Sequence, residues 1–271
     1  MMKISQAGIV DSGPVSGKVA IVTGASRGIG RAIAEALVSA GASVMISGTS
    51  LDKGKQALEE MAAGDRAAFH RADARVQADQ EALIDAAAEQ FGGVDILVNN
   101  AGGSSGFALV ADLADDAWQE AANWVFNSAF WATRRALPHM VRSGWGRVVN
   151  ISSLEAKTAQ TPMASHYSSF KAALNAFSRC VAAEYATAGI TSNAICPGAV
   201  ETDLMLVTGA SNAAAAGISY EAFKDAYAQQ ALTKQLNTVE QVAALAMLLV
   251  SPAGGGITGT AINVDGGTSP W

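Results

Sequence analysis

Tyr167 and Lys171 stand four residues apart in the run Tyr-Ser-Ser-Phe-Lys, and a serine pair, Ser152-Ser153, precedes them. On a helix, that spacing puts both side chains on one face. A free tyrosine has a pKa of about 10, too high for proton exchange at neutral pH. An ammonium held nearby favours the phenolate and draws that value down toward the working range. A serine hydroxyl supplies a hydrogen bond to a substrate oxygen on which charge develops. Together the three groups suit proton transfer to or from an alcohol oxygen while hydride moves at the carbon. Taken alone, Tyr-x-x-x-Lys recurs by chance, and an aromatic anchor beside a solvated lysine gives the same spacing.

The hydride needs a carrier, and the N-terminal part of the chain is built like a seat for one. Val19, Ala20, Ile21 and Val22 form a continuous apolar run, as in a strand buried on both faces. Gly24, Gly28 and Gly30 follow, and then Ile29, Ile33, Leu37 and Ala40 recur at helical spacing. Strand, glycine turn, helix is the first half of a dinucleotide-binding unit. The turn lets the backbone approach a pyrophosphate, and the helix offers it unpaired N–H groups and its positive dipole end.

The elements that position these groups alternate. Strands are expected near 18–23, 43–48, 66–72, 94–99, 146–152, 190–196 and 259–264, and helices near 29–40, 51–63, 76–91, 115–143, 164–188 and 239–250. That alternation predicts an α/β fold, a single-domain Rossmann-like doubly wound sheet of about seven parallel strands with helices on both faces. Residues 1–16 read as a loose arm and 17–271 as the catalytic domain. The segment 201–236 interrupts the alternation after a strand's C-terminal end and reads as a lid over the site.

At this point the chain resembles the classical short-chain dehydrogenase/reductase family, over nearly its whole length and with motifs in the family's order. Thr23-Gly24-Ala-Ser26-Arg27-Gly28-Ile29-Gly30 is similar to its cofactor loop. Asp73, with Ala74, stands where the family contacts the adenine. Asn99-Asn100-Ala101-Gly102 resembles the motif that supports sheet and cofactor, and Pro197-Gly198-Ala-Val200-Glu-Thr202 the segment that holds the nicotinamide amide and phosphates. Ser153, Tyr167 and Lys171 match the catalytic serine, tyrosine and lysine. The resemblance implies that Tyr167 is the general acid in reduction and the base in oxidation. Lys171 would bind the nicotinamide ribose and depress the tyrosine's pKa, and Ser153 would polarise the carbonyl. One departure stands out: the family's helix asparagine, which holds a water against the lysine, aligns with Val125, so either that helix is distorted or the usual relay is missing.

The second strand ends Ser47-Gly48-Thr49-Ser50, without the carboxylate that would grip a ribose 2′-hydroxyl and repel a 2′-phosphate. With Arg27 on the same side, this favours NADP(H) over NAD(H). Glu155, two residues after Ser153, stands at a position that the resemblance implies lines the substrate pocket, where a carboxylate would accept hydrogen bonds from a hydroxylated substrate or pair with a cation. Carrier-protein reductases of the family present basic residues where this chain has Gly144 and Ala188, so a small ketone and its secondary alcohol fit better. The readings kept beside this one are an NAD-dependent alcohol or polyol dehydrogenase, a 3-ketoacyl-carrier-protein-type reductase, and a catalytically silent NADP(H)-binding scaffold or regulator.

Composition narrows the partners. A net charge of −6 and no basic stripe interleaved with aromatics argue against nucleic acid. No apolar run reaches membrane-spanning length, and no secretory h-region precedes Ser16, which makes the cytoplasm the expected compartment. His70, His139 and His166 lack metal-ligand spacing, so no metal site is expected. Cys180 and Cys196 read as reduced packing residues. Trp124, Phe126, Phe130 and Trp131 put apolar surface on two sides of the fourth helix, one for the sheet and one for a partner subunit; the family resemblance implies that this means a homodimer or homotetramer.

Overall fold

A computed structural model describes residues 13–269, so the expected N-terminal arm lies almost wholly outside the described residues. Seven parallel strands form one sheet in the order β3-β2-β1-β4-β5-β6-β7. They are β1 (Val19–Val22), β2 (Ser43–Gly48), β3 (Ala67–Arg71), β4 (Ile96–Asn99), β5 (Gly146–Ile151), β6 (Ile190–Pro197) and β7 (Ala261–Val264). Strands β1, β4, β5 and β6 are buried along their entire length, as in a parallel sheet covered on both faces.

Helix α1 (Gly28–Ser39) covers one face, with α2 (Leu51–Met61) beside it. The other face carries α3 (Gln77–Phe91), then a long composite helix made of α4 (Asp115–Ala121), a π turn (Ala122–Asn127) and α5 (Ser128–Ser143). After β5 comes one short turn, α6 (Glu155–Thr158), and then the catalytic-motif helix α7 (Ser165–Tyr185). The segment expected as a lid contains two helices, α8 (Asp203–Ala215) and α9 (Tyr220–Ala228), before α10 (Val239–Val250) packs beside α1. Two apolar layers result: Ile33, Leu37, Ile46, Val98 and Leu249 on one side of the sheet, and Ile21, Leu83, Leu97, Met140 and Val148 on the other.

A buried polar ladder ties the middle of the sheet to the helices above it. Asn99 Nδ2 donates to Thr133 Oγ1 at 3.0 Å and to Asn150 Oδ1 at 2.8 Å, and Asn150 Nδ2 donates to Ser178 Oγ at 2.7 Å. The strand order reverses between β1 and β4, and ligands bind in the crevice beyond the carboxyl ends of strands at such a point.

The structure departs from the sequence reading in the fourth helix. Regular helix is expected over 115–143, but Ala122–Asn127 widens into a π turn. Phe126 and Phe130 meet Phe177 of α7 edge-on, at 5.9 and 6.1 Å between centroids. Part of the apolar surface expected to face a partner is therefore covered by the chain itself.

Candidate active site

The carboxyl ends of β1, β2, β4, β5 and β6 bring the expected residues to one rim. At β1, Gly24 has φ +62 and Gly28 φ +59, conformations that side chains with a Cβ adopt with difficulty. A Cβ on Gly30 would collide with the Asn100 amide. Asn100 earns that space: its Nδ2 donates to the carbonyls of Thr23 and Gly24 at 2.8 and 3.1 Å. In return Thr23 Oγ1 accepts from the N–H groups of Asn100 and Ala101 at 3.0 and 2.9 Å. The turn and the β4 loop thus hold each other.

Arg27 occupies the N-cap of α1 in extended backbone and makes no side-chain cap. The first-turn N–H groups of α1 have no cap from that residue, the condition for receiving an anion such as a pyrophosphate. Thr202, N-cap of α8, lies 3.7 Å from where a Gly28 Cβ would stand, so the segment after β6 closes onto the glycine turn. Gly198 sits against Asp265, and Val200 forms an isolated parallel bridge with Asn237. With these approaches the rim fits a dinucleotide.

At β2, Ser50 caps α2 through its hydroxyl, and Ser26 Oγ lies 3.5 Å from where a Cβ on Gly48 would stand. Sequence reasoning missed Arg71. In the parallel ladder it pairs with Gly48, and its Nε donates to the Thr49 carbonyl at 3.1 Å. That puts a second guanidinium beside Arg27's side of the site. The signal in the sequence was a cation ending the third strand, visible only once β3 is laid beside β2. Asp73, expected at the adenine, has its carboxylate bound by Arg75 through Nε at 3.0 Å and Nη2 at 2.7 Å. Those bonds hold its pKa below the usual carboxylate value.

The chemical groups converge on β5 and α7. Lys171 is 4% exposed, and its ammonium donates to the Ile151 carbonyl at 2.6 Å and lies 5.7 Å from the Tyr167 ring centroid. Burial lowers its pKa to about 8. Gly102 makes room for it, since a Cβ there would stand 3.2 Å from Nζ and 3.8 Å from Val125 Cγ2. Val125 is buried at the π turn, with its Cγ2 methyl on this side of the helix. The helix distortion is present, and the side chain at its centre offers no polar atom.

Tyr167 differs from expectation. Its pKa is raised, because burial outweighs the hydrogen bond with Ser153 that pulls it down, while the Glu155 charge pushes it further up. Lys171 donates its ammonium to the Ile151 carbonyl, and desolvation of the phenol dominates the titration of Tyr167. Next to Tyr167, His166 is completely buried; its Nε2 lies 2.9 Å from the Ser105 carbonyl, and its Nδ1 has no partner among the described residues. The pair pins the loop after β4 to the start of α7.

Among the described residues no group of three or more potential ligands could hold a metal, and no helix is long and apolar enough to cross a membrane.

The short chain dehydrogenase family model matches residues 18–213. The chain is 36% identical over 255 residues to D-beta-hydroxybutyrate dehydrogenase of Cupriavidus necator, covering 93% of this chain and 98% of the relative. It is also 36% identical over 258 residues to a 3-oxoacyl-[acyl-carrier-protein] reductase of Aquifex aeolicus, with coverage of 93% and 98%. A crystal structure of an actinorhodin polyketide ketoreductase variant with NADPH superposes with a TM-score of 0.88 at 32% identity, covering 95% of this chain and 99% of that one.

Proposed function

The chain belongs to the short chain dehydrogenase family, oxidoreductases that interconvert CH–OH and C=O groups with a nicotinamide cofactor, and from that premise we propose that it reduces a small ketone to a secondary alcohol with NADP(H), Tyr167 carrying the proton. The carrying observation is convergence. Ser153 follows β5 directly, Lys171 is buried on α7 with its ammonium on the β5 carbonyl of Ile151 and Tyr167 one turn earlier, and this cluster shares the carboxyl rim of the sheet with the α1 N-terminus that Arg27 leaves uncapped.

Gly24, Ser26, Arg27, Gly28, Ile29 and Gly30 would hold the pyrophosphate, with Asp73 and Ala74 near the adenine. Asn100, Ala101, Gly102, Pro197, Gly198, Val200 and Thr202 would line the path to the nicotinamide. When bound, the cofactor supplies the hydride to the carbonyl carbon or accepts it in the reverse direction. Ser153 donates to the carbonyl oxygen and stabilises its growing charge. Tyr167 would give its proton to that oxygen in reduction; its burial opposes ionisation, so an ammonium brought beside it would be needed for efficient transfer. Lys171 binds the nicotinamide ribose hydroxyls, which would draw its ammonium from the Ile151 carbonyl toward the tyrosine.

For the cofactor, Thr49 and Ser50 offer hydroxyls, and Arg27 and Arg71 offer guanidiniums, around the position of a 2′-phosphate. The NADPH in the actinorhodin polyketide ketoreductase structure supports this choice. The hydroxybutyrate dehydrogenase relatives support a small secondary alcohol as the reduced partner. For assembly, we propose pairing with a second copy through the α5–α7 face, where Phe130 and Val141 are exposed.

The test is NADPH and NADH consumption over a panel of small ketones, with Tyr167→Phe as control. Turnover with NADPH that is lost in Y167F supports the reading. Tight NADPH binding without turnover of any ketone would instead mark a silent scaffold or regulator.

A further inference from the structure

Glu155 opens α6 two residues beyond Ser153, and its backbone N–H donates to the Ser153 hydroxyl at 3.1 Å. Its carboxylate is anchored on both oxygens. Thr161 donates its hydroxyl to Oε1 at 2.7 Å and its N–H to Oε2 at 3.2 Å, and Ser168, the neighbour of Tyr167, donates its hydroxyl to Oε2 at 3.3 Å. The loop it fastens bends sharply: Ala159 and Met163 both have left-handed backbone, φ 48 and φ 68. The carboxylate is thus fixed in place and already supplied with donors from its own chain.

No ion pair neutralises it among the described residues. The cations of the neighbourhood are turned elsewhere. Lys171 donates to Ile151, Lys157 donates to the Ala261 carbonyl at 2.9 Å, Arg75 is bound by Asp73 and Glu120, and His166 faces the Ser105 carbonyl. Its charge is felt at the reacting group, where it opposes ionisation of Tyr167. The three donors leave lone-pair capacity on the carboxylate, so it can still accept from a ligand, and it does so as an anion with no ion-pair partner among the described residues.

We propose that Glu155 is a charge filter: it turns away ketones that carry a carboxylate beside the reacting carbonyl and admits neutral or cationic ones. The inference rests on the proposed carbonyl reduction at Ser153 and Tyr167. A 3-oxo acid seated with its carbonyl on those two groups would hold its own carboxylate within reach of Glu155's field. For a substrate carboxylate that came to rest about 7 Å from it, an effective dielectric of about 20 gives a repulsion that lowers binding roughly 50-fold.

The experiment compares kcat/KM for acetoacetate with that for ethyl acetoacetate, which has the same 3-oxo carbonyl and no charge. The wild type is expected to prefer the ester by roughly 50-fold. Glu155→Gln should raise the acid-to-ester ratio at least about tenfold, while Glu155→Asp, which keeps the charge, should leave the ratio within about threefold of wild type. An acid-to-ester ratio near one in the wild type overturns the filter while leaving ketone reduction standing. Equal effects of Glu155→Gln on both substrates overturn it too, because they mark a loop anchor with no part in selection. Failure to reduce any ketone overturns the proposed function, and the filter with it.

Discussion

Lys171 gives the most quantitative handle on the site. Replacing it with methionine removes the charge and keeps most of the volume. In the folded protein its pKa falls from 10.5 to about 8 through burial. A base whose folded pKa lies below its unfolded one destabilises the fold wherever both states are protonated, here below about pH 8. That cost is relieved as pH rises from 8 to 10.5, because the folded state sheds its proton first and the unfolded state binds more protons in that window. Two and a half decades at about 1.36 kcal/mol each make roughly 3 kcal/mol. The assay is urea unfolding of the cofactor-free protein and of Lys171→Met at a series of pH values from 7 to 10. Comparing the two proteins cancels groups such as Tyr167 and Cys196, whose raised pKa values act in the opposite sense at high pH. Relative to the variant, the wild type should gain about 2–3 kcal/mol across the series, with a steepest slope near 1.4 kcal/mol per pH unit. The absolute offset at pH 7 also contains the bond to Ile151, worth about 1 kcal/mol or more, so the slope is the diagnostic. A difference that stays flat from pH 7 to 10, or that moves against the wild type, refutes the buried-ammonium reasoning.

Other perturbations follow from the same geometry. Tyr167→Phe should lower kcat/KM for ketone reduction by about 10²–10⁴-fold, the range for losing a general acid, with NADPH affinity within a few fold by fluorescence titration. Arg71→Gln should weaken NADPH and adenosine 2′,5′-bisphosphate about tenfold while sparing NADH and 5′-AMP, measured by calorimetry; equal losses for all four would mean Arg71 only props the Thr49 turn. Asn150→Ala should cost about 2–4 kcal/mol in urea unfolding, because it strips partners from Asn99 and Ser178 in a ladder with no access to water. Gly30→Ala should abolish cofactor binding in a folded protein, since the new Cβ displaces the Asn100 amide that fixes the glycine turn.

Much of the architecture was legible because it depends on local pattern. The continuous apolar run at 19–22 reads as a strand covered on both faces, strands are also expected near 94–99 and 190–196, and all three are buried along their length. The close approach expected of the glycine turn is seen at Gly30, where a Cβ would meet the Asn100 amide, and at Gly24, where it would meet Ala101. The helix over Asp203–Ala215 was hidden because Gly209 and the alanine run give it no clear apolar stripe. What escaped in the site was set by long-range pairing. Ile151 takes the Lys171 ammonium from twenty residues away, Arg71 reaches the site through its register with Gly48, and Thr161 and Ser168 turn Glu155 into a fixed charge. No spacing rule encodes those partners. Tyr167 shows the same limit: the neighbour one turn away suggested acidity, while the burial that dominates came from the whole fold.

The wide turn at Ala122–Asn127 also governs the phase of everything upstream of it. An added residue advances a helix by about 100°, so the two halves of this long element present unrelated faces. Trp118 meets Phe170 at a tilt and Glu120 bonds Ser105 and Arg75 in the first half, while Ala132, Ala136 and Met140 bury against the sheet in the second. A regular helix could satisfy one set of contacts or the other. Deleting a single residue between 122 and 127 would therefore leave the sheet contacts in place and swing the Glu120 clasp on Ser105 out toward solvent.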